Sequence, residues 1–400
     1  MAHRQRRRQR QQQRRTARRS VSPALGGGES GRATERGYDI LSRGERLGEL
    51  RDFIWVSNDE PHASRRKAMM AAHGPELQKL MGYEWRTKYV VVAVMAAHLA
   101  CAYWMREDAL WGGTPRFWLL AYVVGAPLVQ NLFLAVHEIS HNLAFKSFLQ
   151  NKLFGVFVNV PLVLPFFVAF KYYHNEHHKF QGVDGVDTDL PTYAEARWLS
   201  TAPGKLFFMS NQTWFYAFRP LIVREQALTR WHALNWAVQI GFVAGVVRAW
   251  GWGPVLYLML CNHLSGGLHP IAAHFIAEHY VFAGNVETAS YYGWMNWLTF
   301  NVGMHAEHHD FPLVPWTRLP ALARLGRYRE TLPHHDSWVR VWWTFITDPV
   351  VTLYNRVKRR PNVSAEAGLA AHAKSADLAG VLGSADYAER AWVSCLRSPL

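Results

Sequence analysis

Residues 301–312 read Asn-Val-Gly-Met-His-Ala-Glu-His-His-Asp-Phe-Pro, and His305, His308 and His309 within them form an H-x-x-H-H cluster. On a helix, positions i, i+3 and i+4 share one face, with Cβ atoms roughly 5–6 Å apart. The same spacing recurs at His174, His177 and His178, and His137 and His141 form a related H-x-x-x-H pair. At the histidine content of this chain, 20 in 400 residues, one H-x-x-H-H is expected by chance about 0.05 times, so two are no accident. Imidazoles crowded on one face are costly to bury unless something binds them. These eight histidines are therefore read as metal ligands.

Cys101, Cys261 and Cys395 are widely spaced and odd in number, which excludes a disulfide framework and a Cys-x-x-Cys metal site. Nitrogen and oxygen must hold the metal. The stretch His137-Glu-Ile-Ser-His141 matches the zinc-protease signature H-E-x-x-H, and alone it supports a membrane-embedded metalloprotease. A catalytic zinc, however, takes three protein ligands and leaves one position open, so most of the clustered histidines would go unused. Two metals, each with about four or five nitrogens, would use them well. Imidazole suits iron, and paired irons at a membrane face point to activation of dioxygen. A metal transporter or sensor fits less well, because the histidines gather at one face instead of threading the spans.

Around this set stand further candidates. Glu138, Glu176 and Glu307, inside the boxes, could orient ligand imidazoles or simply solvate their helices. Ionisable residues at the end of a span are functional candidates by default, and in Leu268–Tyr280 His274 is chosen as the ninth ligand. His269 and His279 are left as structural, or as lining the substrate's approach. His98, alone in the first span, is a packing residue. Asp184, Asp187 and Asp189 favour turn bonds over contact with metal or substrate.

The elements that position the boxes follow from hydropathy. Half the residues are hydrophobic and 14% are aromatic, yet mean hydropathy is slightly negative, so polar ends dilute an apolar middle. Residues 1–48 are Arg/Gln-rich, then Gly/Ser-rich, and supply much of the +14 formal charge. They are expected to form a basic disordered arm. With no apolar h-region the arm is not a secretory signal peptide. It could tether to an anionic membrane, act as a transit or nucleic-acid segment, or serve as a solvated tail; no nucleic-acid partner is expected. Residues 49–360 form the membrane domain and 361–400 a C-terminal tail. Four stretches approach the length of about 20 apolar residues needed to cross a bilayer: 89–105 with 117–136, and 234–247 with 254–275. A fifth, 153–170, carries Pro161 and Pro165, which break a regular helix. One crossing there would divide the boxes between the two sides of the membrane, so it is read as interfacial or re-entrant. Four crossings put all boxes and both termini on one face. The Lys and Arg excess of the box-side loops makes that face cytosolic. The fold expected is an all-α integral membrane protein, four transmembrane helices in two pairs with a cytosolic helical cap carrying a histidine-box diiron site. Residues 311–359 are expected to be helical and to lie on the membrane surface.

The order and spacing of the boxes resemble the membrane fatty-acyl desaturase superfamily. Asp52-Phe-Ile-Trp-Val56, His137-Glu-Ile-Ser-His-Asn142, Gly185-Val-Asp-Thr-Asp-Leu-Pro-Thr192, Tyr216-Ala-Phe-Arg-Pro220, Gly267-Leu-His-Pro270, His274-Phe-Ile-Ala-Glu-His-Tyr280 and Thr299-Phe-Asn-Val-Gly303 are similar to the sphingolipid Δ4-desaturase (dihydroceramide desaturase) family over roughly residues 50–355. The resemblance implies an endoplasmic-reticulum enzyme of ceramide biosynthesis that inserts a trans double bond between carbons 4 and 5 of the sphingoid base of dihydroceramide. It implies two iron ions, dioxygen as co-substrate, and electrons from NADH through cytochrome b5 reductase and cytochrome b5. By similarity the iron ligands are His137, His141, His174, His177, His178, His305, His308 and His309. His274, after Ala272-Ala273, is the best match to a further iron-binding histidine of stearoyl-type relatives, although Pro270 stands where those relatives have an Asn. Met1-Ala2 departs from the Met-Gly start of myristoylated animal members. The chain has no His-Pro-Gly-Gly haem motif, which makes cytochrome b5 a separate partner. Hydroxylation at carbon 4 to phytoceramide is the alternative outcome on the same site.

Overall fold

The computed structural model describes residues 37–110 and 112–361. Residues 1–36 of the basic arm and 362–400 of the tail lie outside the described residues. Residues 37–48, expected within the disordered arm, are instead placed against the fold. Ile40 is buried, the His334 amide donates to the Tyr38 carbonyl at 2.9 Å, and Arg340 pairs with Asp39 at 2.8 Å. Burial of Ile40 and pairing of Asp39 offset the Gly/Arg composition that reads as disorder.

Helix α1 (Pro61–Leu80) starts on Glu60, whose carboxylate accepts from the Ala63 and His62 amides. Helices α2 (Thr87–Trp104) and α3 (Pro115–Ser140) are each long and apolar enough to cross a membrane. Val92, Leu119 and Val123 stand exposed on them, the kind of apolar surface that lipid covers. At the turn between them Asp108 accepts from Arg116 and Thr114. Helix α3 contains a π turn at Ala121–Gly125, where Gly125 lets another helix approach: a Cβ there would stand 2.3 Å from Cys261 Sγ.

Helices α4 (Phe148–Asn159) and α5 (Phe167–Lys179) belong to a pair bent by 114°. The break falls at Pro161–Pro165, as their positions predict, with Val163 in the left-handed region at φ 65°. A break in apolar surroundings frees backbone groups that must find partners inside the protein. Gln239 Nε2 donates to the Val160 carbonyl and Asn262 Nδ2 to that of Leu162, both at 2.8 Å. Asn159 Oδ1 accepts from the Phe167 amide at 2.8 Å. The two arms close onto Gly155, where a Cβ would sit 2.0 Å from the Phe167 ring.

Helix α6 (Gln212–Val223) precedes the expected second pair, which falls on α7 (Arg230–Trp250) and α8 (Gly253–Ser265). Helix α7 has 21 residues, about 31 Å, and exposes Trp236 and Ile240. The stretch 254–275 is not one helix. Helix α8 stops after 13 residues at Gly266-Gly267, followed by a 3-10 turn at Pro270–Ala273 and the short α9 (His274–Ala277). Pro270 lacks the amide needed to continue an α-helix, and Gly267 lies where a Cβ would meet the Ser210 carbonyl oxygen at 2.9 Å. Gly253 abuts the Arg106 carbonyl, so the α2–α3 and α7–α8 turns meet at the end of the molecule opposite His137 and His141.

The C-terminal part, where a helical cap is expected, holds α10 (His305–Asp310) and α11 (Trp338–Thr347). It is not purely helical. Strand β1 (Ile54–Val56) pairs in parallel with β4 (Val357–Arg359), and β2 (Ser290–Tyr291) with β3 (His334–His335). Strands of two or three residues show no alternation for a sequence to display. The 311–359 stretch is helical only in part, and α11 is amphipathic, with Trp338 buried and Trp343 62% exposed.

Candidate metal centre

The first box ends α3. Asn142, at φ 61°, takes the left-handed conformation that commonly stops a helix. Lys171 pins this end by donating to the Ser140 carbonyl at 2.9 Å and to Asn142 Oδ1 at 2.8 Å. The second box is the last turn of α5, and the third is α10 itself. All three converge. His137, His141, His174, His178 and His308 form one group, and His177, His279, His305 and His309 a second. Within each group the candidate ligand atoms lie within 4.8 Å of one another. The groups adjoin, with the His178 ring stacked on His309 at 4.0 Å.

The boxes are interleaved between the groups. Box two sends its i and i+4 residues, His174 and His178, to the first group and its i+3 residue, His177, to the second. Box three does the reverse, sending His305 and His309 to the second group and His308 to the first. Neither group can be completed from one helix.

Nitrogen is the only donor in either group. Nε2 atoms face one another in His141–His174 (2.8 Å), His174–His178 (3.1 Å), His178–His308 (3.1 Å), His177–His279 (3.0 Å) and His279–His305 (2.9 Å). His137 Nε2 and His309 Nε2 are buried and have no hydrogen-bond partner. Neutral imidazoles carry one lone pair each, and lone pairs aimed at a common centre fit a cation there. Burial, followed by the neighbouring imidazoles, holds His279, His305, His308 and His309 well below the usual imidazole range, which leaves them neutral and able to ligate.

The second group includes His279 and not the expected His274. His274 lies outside both groups, its Nε2 2.5 Å from Gln130 Nε2 and its Nδ1 2.8 Å from Glu278. His269 caps the 3-10 turn through the Ile271 amide and packs on Tyr122. His98 is fully buried among apolar side chains.

The carboxylates inside the boxes bond to groups other than the box histidines at the contacts that follow. Glu138 accepts from the Trp316 amide at 3.2 Å, Glu176 binds Arg224 at 2.7 Å, and Glu307 accepts from Ser290 and Tyr292. Each neighbours a histidine by one residue, and successive helical residues point about 100° apart. Asp187 holds His177 Nδ1 at 2.9 Å while also making the expected turn bonds, to the Gly182 and Asp189 amides. Burial opposes ionisation of Asp187, but His177 and Arg356 hold it below the usual carboxylate range. Glu278 stands 3.7 Å from His305 Nδ1, and Thr288 and the Glu287 carbonyl lie beside His279 Nδ1.

Two outer clamps hold this assembly. Helix α1 grips the end of α10: buried Asp310 accepts from Arg65, His62 and Tyr328 at 2.6–3.0 Å. Arg66 donates to the Asp310 and His309 carbonyls, cations at a helix C-terminus being favourable. The segment after box two is held by the end of the domain, with Arg356 on Asp189 and Lys358 on Asp184, both at 2.6 Å.

Residues 117–343 match the fatty acid desaturase family, and residues 49–86 match the sphingolipid Delta4-desaturase family. The chain is 45% identical over 330 residues to the sphingolipid delta(4)-desaturase of Candida albicans, covering 78% of this chain and 88% of that one. It is 46% identical over 314 residues to the Drosophila melanogaster sphingolipid delta(4)-desaturase, covering 77% and 96%. A Bos taurus sphingolipid delta(4)-desaturase/C4-monooxygenase is 43% identical over 320 residues, covering 79% and 97%.

Proposed function

The chain belongs to the sphingolipid Δ4-desaturase family, and from that premise we propose that its two histidine groups each hold an iron ion for dioxygen-dependent desaturation of dihydroceramide to ceramide. The enzyme is an oxidoreductase of sphingolipid metabolism. The observation that carries the metal assignment is the convergence of nine histidines, seven buried and two half-buried, in two adjoining groups. Five nitrogens in one group exceed the number a tetrahedral zinc takes, which speaks against the protease suggested by His137–His141.

Iron in these groups would supply the dioxygen activation that removal of hydrogen from an unactivated methylene demands. The protein's part is placement. His137, His141, His174, His178 and His308 would hold one ion and His177, His279, His305 and His309 the other. Asp187 fixes the ring of His177 and its tautomer, with Nδ1–H to the carboxylate and Nε2 left for metal. Phe170 stacks on His174 at 5.1 Å and leads through Phe133 to Phe166 and Phe275, an apolar approach that excludes water and suits a hydrocarbon chain.

The α2–α3 and α7–α8 hairpins, with their turns together at the end away from the boxes, support four crossings with a cytosolic cap in the endoplasmic-reticulum membrane. Helix α8 with its 3-10 continuation would make the fourth crossing. Electrons would come from NADH through cytochrome b5 reductase and a separate cytochrome b5, drawn to the Lys and Arg of the box-side loops. The test is lipid mass spectrometry of cells lacking dihydroceramide desaturase, with the intact chain or its His308→Ala variant. Ceramide formed only by the intact chain is the expected result. Phytoceramide in its place would move the assignment to C4 hydroxylation, the second activity in the name of the Bos taurus relative. Neither product, from a well-expressed chain supplied with cytochrome b5, would overturn the assignment.

A further inference from the structure

Beside the second histidine group lies a cluster of polar side chains that the metal centre does not use. Tyr280 follows His279 directly and is 2% exposed, yet its hydroxyl has no hydrogen-bond partner. The same holds for Arg219 Nη2, on a residue 3% exposed, and for the buried hydroxyl of half-buried Tyr216. Leaving one such group unmade costs about 1–3 kcal/mol, and three together point to a missing polar ligand.

The three groups are neighbours. The Arg219 guanidinium lies 4.7 Å from the Tyr216 ring centre and that of Arg356 5.1 Å from the Tyr280 ring. The two arginines meet at one acceptor, Arg219 Nη1 and Arg356 Nη1 both donating to the Asp189 carbonyl, at 3.2 and 3.0 Å. Arg219 is held rigidly, its Nε on Glu195 at 2.9 Å and its Nη1 on the Asp189 carbonyl at 3.2 Å, which leaves Nη2 presented. On the other side the Tyr216 ring meets Phe275 at 5.0 Å, and Phe275 meets Phe133 at 5.6 Å. The polar cluster therefore stands at the end of the string of aromatic rings that begins at Phe170 and His174.

We infer that Tyr216, Arg219 and Tyr280 form the subsite for the polar head of the sphingolipid, an assignment that rests on the sphingolipid reading above. The two phenols bond the head's hydroxyls, since a hydroxyl both donates and accepts, and Arg219 Nη2, a donor only, meets the amide carbonyl. Chemistry requires the head to be gripped here. The reacting carbon 4 is bonded to carbon 3, which bears a hydroxyl, so the anchor must lie within a few ångströms of the metals. An acyl chain without the head would leave three buried groups unpaired, and a site built around hydroxyls rejects such an analogue strongly.

The test compares the intact enzyme with Tyr216→Phe and Tyr280→Phe, each of which deletes only a hydroxyl. Substrates are dihydroceramide and analogues lacking the carbon 1 or the carbon 3 hydroxyl. Each variant is expected to lose about 10–100-fold in kcat/KM on dihydroceramide, mostly through KM, with bound metal unchanged. Each is also expected to match the intact enzyme on one of the two analogues, the one missing its partner hydroxyl. Variants unchanged on every substrate, or weakened equally on all three, would overturn the subsite while leaving the desaturase assignment in place. Intact enzyme that fails to desaturate dihydroceramide would overturn that assignment, and the subsite with it.

Discussion

The two histidine groups are built from the same boxes but held in different ways. In the first, ring contacts are prominent: His137 lies 4.4 Å from both His174 and His308, Phe170 stacks on His174, and the Nδ1 atoms of His178 and His308 lack hydrogen-bond partners. In the second, polar groups brace two of the rings, with Asp187 on His177 and Thr288 and the Glu287 carbonyl beside His279, while His305 Nδ1 stands 3.7 Å from Glu278 without a hydrogen bond. A carboxylate behind an imidazole fixes its orientation and makes it a stronger donor. The second group should therefore bind its metal more tightly and the first exchange it more readily. The string of phenylalanine rings meets the first group at His174, and Tyr280 adjoins the second at His279.

The largest break in this comparison comes from deleting one ligand in each group. His308→Ala and His279→Ala are each expected to abolish turnover and to halve the metal bound per chain, measured by elemental analysis of purified protein. Full metal retention in His279→Ala would remove it from the ligand set. Asp187→Asn separates the groups next: it should weaken the second metal about 10–100-fold, seen as one faster phase of metal loss to a chelator, with the other phase unchanged. Gly155→Ala attacks the packing that supports α5. Its Cβ would overlap the Phe167 ring, and overpacking of this kind costs about 1–3 kcal/mol, read as a lower melting temperature in detergent. The smallest effect is expected from His274→Ala, which should keep its metal and lose activity less than Asp187→Asn does. Loss of metal from His274→Ala would reverse the assignment of the ninth position.

How much of this was legible depended on whether a residue sits in a repeating element. The eight box histidines announce their convergence through i, i+3, i+4 spacing. Their division between two groups is not written there, because it depends on how α5 and α10 cross. His279 follows the short α9 in a non-helical segment, and no spacing relates it to the boxes. Its one signal is its place among the histidines and Glu278 at the end of an apolar run, which His274 shares. The box glutamates could have been set aside from sequence, since a residue next to a ligand on a helix points away from the ligand face. Asp187 reads as a turn aspartate and is one, and its second bond, to His177, needs the chain folded back. The break at Pro161–Pro165 was legible because proline acts locally. The end of α8 was not, since Gly266-Gly267 fits its surroundings only when Ser210 and Thr213 are in place.

The pairing of β1 with β4 carries a consequence for biosynthesis. Ile54 waits for Val357, and at about 5–20 residues per second the ribosome supplies that partner only after about 15–60 s. Arg356, Lys358 and Arg359, which hold the Asp184–Asp189 segment and Glu287, arrive in the same last moments. While residues 179–304 are being added, the first two boxes are already made and the third and the closing strand are not. The nascent chain therefore presents an incomplete set of imidazoles, open to whichever divalent ion is abundant. Loading with the right metal becomes a question of timing as well as affinity, and slowing or speeding translation over residues 179–304 should change the metal that purified protein contains.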